Sequence, residues 1–468
     1  MNQLGVRWTA DQVLALAPDD ASRKAGSRLG TAGPWSETGS SGSGAVWGLC
    51  RGSGGKPYRT VVDMAGSSPA YKCSCPSRKF PCKHALGLLL LQAADERGLR
   101  AAAPGAAAPG AAAPDWAQEW LTARRESAGR QQEQGVAGGP DGELGNSAKA
   151  VDPEAARRRA ERRAERISTG ATELEQRLTD LLRGGLATAE QTGYQLWEET
   201  AARMIDAQAP GLAARVRELG AIPASGPGWP VRLLEECALL HLLDQAWLGR
   251  DRLPEPLAAT VRTRVGLTRP AEGPSVRDHW MVLAQYDTPD AKLVVRRIWL
   301  YGRNSGRTAL VLSFGAAGRA PEIALPPGLM VDAELTYYAG SGQLRADLGE
   351  LFGLPVPIDA APPGAGTAEA VGAYGVALKD DPWLESWPVV LSGVIPIPAE
   401  DGWQLADEKG ESALPVAASA LSRPGLWKLA ALSGGGPVTV FGECGHRGFT
   451  PLAAWPDGSA QTVALVDA

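Results

Sequence analysis

The sequence predicts a multidomain α+β protein: a small ββα metal module leads, a helical region occupies the middle, and a β-rich region closes the chain. Three observations predict it. The stretch "YKCSCPSRKFPCKHALGLLLL" at 71–91 gathers three of the six cysteines and one of the four histidines within twelve positions. From Asp152 the pattern turns to Arg- and Leu-rich helix. Beyond residue 270 it turns to β-branched and aromatic runs separated by Pro and Gly.

At 468 residues the chain is too long for one core, and 44% hydrophobic against 21% charged residues excludes wholesale disorder. Six cysteines are too few for a disulfide framework, so a clustered set points to metal in a reducing compartment. The N-terminus lacks the pattern of a secretory signal, and the densest apolar run, "ALGLLLLQAA", falls short of the roughly 20 residues that span a bilayer. The expected location is the cytoplasm, with no membrane partner.

Residues 1–100 read as the zinc-binding unit. "TADQVLALAP" forms a short helix, and "AVWGLCRGSGGKPYRTVVDM" a strand, a Gly-rich turn and a second strand. Residues 101–151 read as linker, because the prolines of "AAAPGAAAPGAAAP" break helix and its side chains bury little. That linker predicts a loosely tethered first unit. Residues 152–268 read as a helical domain, with Asp152 and Pro153 at its start and leucines at helical spacing. Two β-rich domains are expected at 270–358 and 370–468, the first with a hairpin turning at Asn304–Gly306.

Cys73, Cys75, Cys82 and His84 give the spacing C-x-C-x6-C-x-H. Three thiolates and one imidazole are a closed tetrahedral set for Zn2+, leaving no position for a catalytic water. On a strand over 71–75, residues 73 and 75 share a face. On a regular helix, residues 82 and 84 would diverge by about 200°, so Cys82 must lie at the helix start with His84 just beyond it. The ion then pins a helix onto a hairpin, and the unit depends on it for folding.

The segment "CSCPSRKFPCKH" after a β hairpin resembles the SWIM zinc finger family over residues 45–95. The resemblance implies zinc at those four residues, a ββα module, and a role in contacting DNA or proteins. Some bacterial SWIM proteins are associated with MoxR-type AAA+ ATPases and von Willebrand factor A partners, and a role of that kind is the corresponding expectation here.

From Arg51 to Lys83 the chain carries seven positive charges against the single acid Asp63, while the whole chain is −5. This basic island predicts phosphate contacts through Arg59, Lys72, Arg78, Lys79 and Lys83, with Tyr71 available to stack on bases and Phe80 packed beneath the helix. The Arg-rich run at 157–166 has interleaved glutamates and reads as a solvated helix face. Cys50, the Cys237/His241 pair and the Cys444/His446 pair lack a completing ligand set and read as packing residues. No phosphate loop, zinc-protease motif or nucleophile turn is present, so no enzyme is expected. The expected function is a zinc-binding, non-enzymatic protein that binds nucleic acid. The alternative is a protein-interaction adaptor that works with an AAA+ ATPase.

Overall fold

The structure is a computed structural model that describes residues 8–466, apart from 95–112, 136–152 and short gaps at 42–43, 53–54, 65–68, 78, 268–269, 272, 291–292, 317–320, 341, 343 and 401. Helix α1 (Ala10–Leu14) opens on a capping box between Thr9 and Gln12. Helix α2 (Asp20–Ser27) opens on Asp19, whose carboxylate accepts from the Ser22 N–H at 2.7 Å. Strands β1 (Trp35–Ser40), β2 (Ala45–Cys50), β3 (Tyr58–Asp63) and β4 (Ala70–Cys73) then form one antiparallel sheet in chain order.

Alternation sends Val46, Cys50 and Val62 to one face of this sheet and Ala45, Trp47 and Val61 to the other. Helix α3 (Lys83–Ala94), apolar on nearly every side, covers the first face. Helix α4 (Asp115–Gly135) covers the second through Ala117 and Leu121, with Arg124 paired to the buried Asp63 at 3.1 Å. Part of the expected linker is therefore a packed helix. The rest of it, at 101–112 and 136–151, lies outside the described residues, as do residues 53–54 of the expected hairpin turn.

Helices α5 (Pro153–Gly184), α6 (Ala187–Asp206), α7 (Pro210–Ala221), α8 (Trp229–Leu248) and α9 (Glu255–Val265) share a core of Ile167, Leu174, Met204, Val216, Leu240 and Trp247. The arginine run lies on the exposed start of α5, where Arg157 pairs with Glu161 and Arg158 with Glu154. Cys237 is buried in this core, whereas His241 is exposed. Asp244 on α8 is fully buried beside the Glu175 carboxylate of α5. Among the described residues no helix is long and apolar enough to cross a membrane.

Strands β5 (Val276–Asp290), β6 (Leu293–Gly302), β7 (Thr308–Ala316), β8 (Leu329–Tyr337), β9 (Ala346–Leu351) and β10 (Val356–Pro357) form the second sheet, ordered β10-β8-β5-β6-β7 with β9 also on β8. The buried Asp278 carboxylate accepts from the backbone N–H groups of Asn304 and Ser305, fixing the β6–β7 turn. Both faces are apolar. Trp280, Val282, Ile298, Leu300 and Val331 join the core of the first unit, while Met281, Leu283, Trp299 and Met330 face the third sheet.

That third sheet comprises β11 (Ser386–Ala399), β12 (Gly402–Asp407), β13 (Ala413–Pro415), β14 (Val438–Gly445), β15 (Gly448–Pro456) and β16 (Val463–Ala464). Its inner face presents Phe441, Ala453 and Trp455 to the second sheet. Ala370 of α10 (Thr367–Asp380), Ala420 of α11 (Ala418–Leu421) and Leu426 and Leu429 of α12 (Pro424–Ser433) join Leu391, Val394 and Val440 in a separate core.

The expectation of a loosely tethered first unit does not hold. Its buried cluster runs unbroken into the second sheet, and the Gln12 side chain donates to the Pro327 carbonyl at 2.8 Å. A sheet apolar on both sides requires a cover that no linker composition reveals. The bundle is anchored too: Trp383 enters its core and donates to the Leu239 carbonyl at 2.9 Å, and Arg264 pairs with the buried Asp381 at 2.6 Å.

Two outcomes follow from this packing. A Cβ on Gly87 would lie 2.5 Å from the Leu29 Cβ, so Gly87→Ala should destabilise the protein by about 1–3 kcal/mol in urea unfolding. Burial, then the neighbouring Glu175, push the Asp244 carboxyl up to about 9 from 3.8. Between those values the unfolded chain releases a proton that the folded chain keeps, so this group's contribution to stability falls as pH rises. Asp244→Asn should remove that slope, its advantage over wild type growing by up to about 1.4 kcal/mol per pH unit between pH 5 and 8, read by urea unfolding at each pH.

Candidate metal centre

Strand β4 ends at Cys73, short of the 71–75 strand that the sequence predicts. Pairing persists only to Ser74, whose N–H donates to the Arg59 carbonyl at 3.0 Å and whose Oγ accepts from the Arg59 N–H at 2.9 Å. Pro76 has no N–H with which to continue. Cys75 therefore reaches the site from a turn and not from the pleat. Cys82 lies immediately before α3, its carbonyl accepting from the Leu86 N–H at 3.1 Å, and His84 is the second residue of the helix. This is the arrangement expected from the spacing of residues 82 and 84.

One ligand atom from each of Cys73, Cys75, Cys82 and His84 lies within 4.8 Å of the other three. Four ligands at about 2.0–2.3 Å from a tetrahedral ion stand roughly 3.3–3.8 Å apart, so this donor set fits Zn2+. Cys82 and His84 are buried, and the cysteines on the loop side are half-buried. The group is positioned to bind a zinc ion.

The electrostatics favour a cation. Contacts from Cys82, His84 and Thr60 hold the Cys73 sulfur down to about 3, as a thiolate, with Thr60 Oγ1 at 3.2 Å and His84 Nδ1 at 3.7 Å. The same contact with Cys73 pushes the Cys82 thiol up, and burial pushes Cys75 up. Zn2+ replaces these shared protons with a charge that all three sulfurs can face. The Tyr58 ring lies 4.8 Å from the His84 ring and limits its orientation. Thr60 and Tyr58 were not legible as supports, because only the register of Thr60 against Cys73 brings them to the site.

Cys50 is buried nearby on β2, where burial and then the charge of Cys73 push its thiol up to about 11, and it is not among the four grouped residues. Cys444 packs in the C-terminal core, and His446 lies within hydrogen-bonding distance of Tyr374.

The predicted basic residues do not share one face. Val61 stands opposite Lys72 and faces α4, so Arg59 and Lys72 lie on the α4 side of the sheet, whereas Cys73 and Thr60 lie on the other. Lys79 and Lys83 belong to the metal loop and the first position of α3, and both are exposed. Lys79 pairs with Asp19 at 2.6 Å and, with the Ser22 N–H, holds that carboxyl down to about 2. Arg78 lies outside the described residues. Phe80 is 38% exposed instead of packed beneath the helix. Tyr71 is half-buried and packs against the core that the first unit shares with the second sheet.

Zinc should be found at one equivalent per chain by elemental analysis, and Cys82→Ser should reduce it to a small fraction. Thr60→Val, which strips the hydroxyl from the Cys73 sulfur, should weaken zinc by roughly 10–100-fold in competition with a chromophoric chelator.

Residues 58–92 match the model of the SWIM zinc finger, and residues 162–265 match that of the SWIM-associated four-helix bundle domain. The first match contains all four ligands, and the second runs from the middle of α5 to the end of α9. Searches of curated proteins and of solved structures returned no match. The chain therefore carries a SWIM zinc finger followed by a SWIM-associated helical bundle.

Proposed function

We propose that this is a non-enzymatic, zinc-stabilised binding protein whose finger contacts the phosphate backbone of DNA or RNA along the edge of its sheet. The observation that carries this reading is the state of the basic rim. Both faces of the sheet are covered by helices, while Arg59, Lys72 and Lys83 are exposed and form no ion pair with described residues. Lys72 lies on the outer strand β4, Arg59 on β3 opposite Ser74 just past the end of β4, and Lys83 at the start of α3. Lysines and arginines placed along an edge suit a phosphate backbone, which recognition by charge alone can follow without reading sequence.

A second reading is favoured by Trp427, 69% exposed on α12 and set edge-on against Trp403 at 5.5 Å. An exposed tryptophan is a common anchor for a protein partner, and an AAA+ ATPase is the partner implied by the resemblance. Copurification of the full chain from native cells, with and without nuclease, separates the two. Nuclease-sensitive recovery supports nucleic acid, whereas a nuclease-resistant protein partner lost in Trp427→Ala supports the adaptor.

For the first reading, affinity for a fluorescent oligonucleotide should fall steeply with salt. The Arg59→Glu/Lys72→Glu variant should bind at least about tenfold more weakly, with a smaller salt slope and unchanged zinc content. Equal binding by this variant would rule out the rim as the contact.

A further inference from the structure

We infer that Arg159, Arg162 and Arg166, on the first half of α5, form a second contact for a nucleic-acid phosphate backbone, carried by a different element from the rim of the zinc finger. The inference rests on the reading that this protein binds nucleic acid, and it gives that binding a second surface. Residues 154–166 consist of six arginines, three glutamates and four alanines.

The two signs of charge are not mixed around the helix. At about 100° per residue, Arg159, Arg162, Arg163 and Arg166 share an arc of about 100°, while the three glutamates share an arc of about 40° centred about 130° away. Arg157 and Arg158 belong to the acidic side, where they pair with Glu161 at 3.0 Å and Glu154 at 3.2 Å. Arg163, half-buried at the edge of the stripe, donates to the Gly266 carbonyl at 3.4 Å. Arg159, Arg162 and Arg166 are exposed and form no ion pair with described residues. Like charges three and four residues apart repel and weaken a helix, so solvation alone does not account for this stripe. A polyanion turns that repulsion into attraction.

The composition of the stripe selects the partner. A docked protein needs an apolar or aromatic anchor, and a membrane surface needs an apolar face to insert. Residues 154–166 offer no apolar side chain larger than alanine. Recognition by charge alone suits the phosphate backbone, whose oxygens the guanidinium fork can bind in pairs. From Arg159 to Arg166 the helix rises about 10 Å, close to three nucleotides of one duplex strand at about 3.4 Å each.

The test is fluorescence anisotropy of the full-length, zinc-loaded protein with a labelled DNA duplex and a labelled single-stranded RNA, each titrated at several salt concentrations. Arg159→Gln/Arg162→Gln/Arg166→Gln keeps good helix formers at exposed positions, so zinc content and helical circular dichroism should match wild type. Its binding to the probe that wild type prefers should weaken at least about tenfold, and the slope of log affinity against log salt should become shallower by about 2–3. Arg159→Lys/Arg162→Lys/Arg166→Lys, which keeps the charge, should retain the wild-type slope. Arg157→Gln/Arg158→Gln, which removes the two paired arginines, should bind as wild type does. Wild-type affinity in the glutamine triple variant, or an equal loss in the paired-arginine variant, would overturn the inference. If Arg59→Glu/Lys72→Glu still binds weakly in that case, the rim reading stands without the stripe. Loss in the triple variant alone supports the stripe and removes the rim, and no wild-type binding to either probe overturns both.

Discussion

A β-sheet that is apolar on both sides must be covered on both sides, and that requirement organises this chain. The sheet β5–β10 turns Trp280, Val282 and Ile298 one way and Met281, Leu283 and Trp299 the other. Burying one such side chain contributes roughly 1.5–3 kcal/mol, so neither face can be left in water. The third sheet supplies one cover. The other is the zinc-finger unit, whose own buried residues under α3 are continuous with that face of the sheet. The link from β4 to α3 is held by four ligand atoms, so the metal governs more than its own loop: it fixes the shape of a surface that the central sheet needs.

The charge of the metal site changes how the basic rim is to be counted. Three thiolates and a neutral imidazole on Zn2+ leave a net charge of −1, set close to Lys79 and Lys83. Some of the positive charge around the loop therefore balances the metal cluster, and Asp19 already occupies Lys79 while capping α2. Arg59 and Lys72 lie on the other side of the sheet. They are the cations with no such local duty, which is why they weigh most in any contact with phosphate.

The ligand set was legible in the sequence because it is local: twelve positions contain the sulfurs, the imidazole, the proline that ends the strand and the start of the helix. The β2–β3 hairpin and α3 were legible for the same reason. What the sequence hid was long-range. Strand β1 lies in a Ser- and Gly-rich run that has no apolar alternation of its own. Helix α4 shows only a short apolar stripe at Trp116, Ala117, Trp120 and Leu121, in a polar stretch between Gly-rich neighbours. The split of the basic residues depends on register, since one step along a strand reverses the face. Tyr71 is half-buried because it packs against a core that includes the second sheet, some 200 residues away in sequence.

The two ends of the molecule are joined to the central layers by different physics. The bundle is held by Trp383 in its core and by the Arg264–Asp381 pair, whose carboxylate is buried. The Asp381 carboxylate is buried while the Arg264 side chain is 28% exposed, so loss of the arginine would leave a buried charge unpaired, and the pair gives this junction a directional contact. The zinc-finger unit meets the central sheet through apolar side chains and the Gln12–Pro327 hydrogen bond. Apolar contact is non-directional and depends on matching shape over its whole area. A junction of that kind is only as well defined as the surface offered to it. Here that surface is set by α3 and β4, the two elements that the metal ligands tie together.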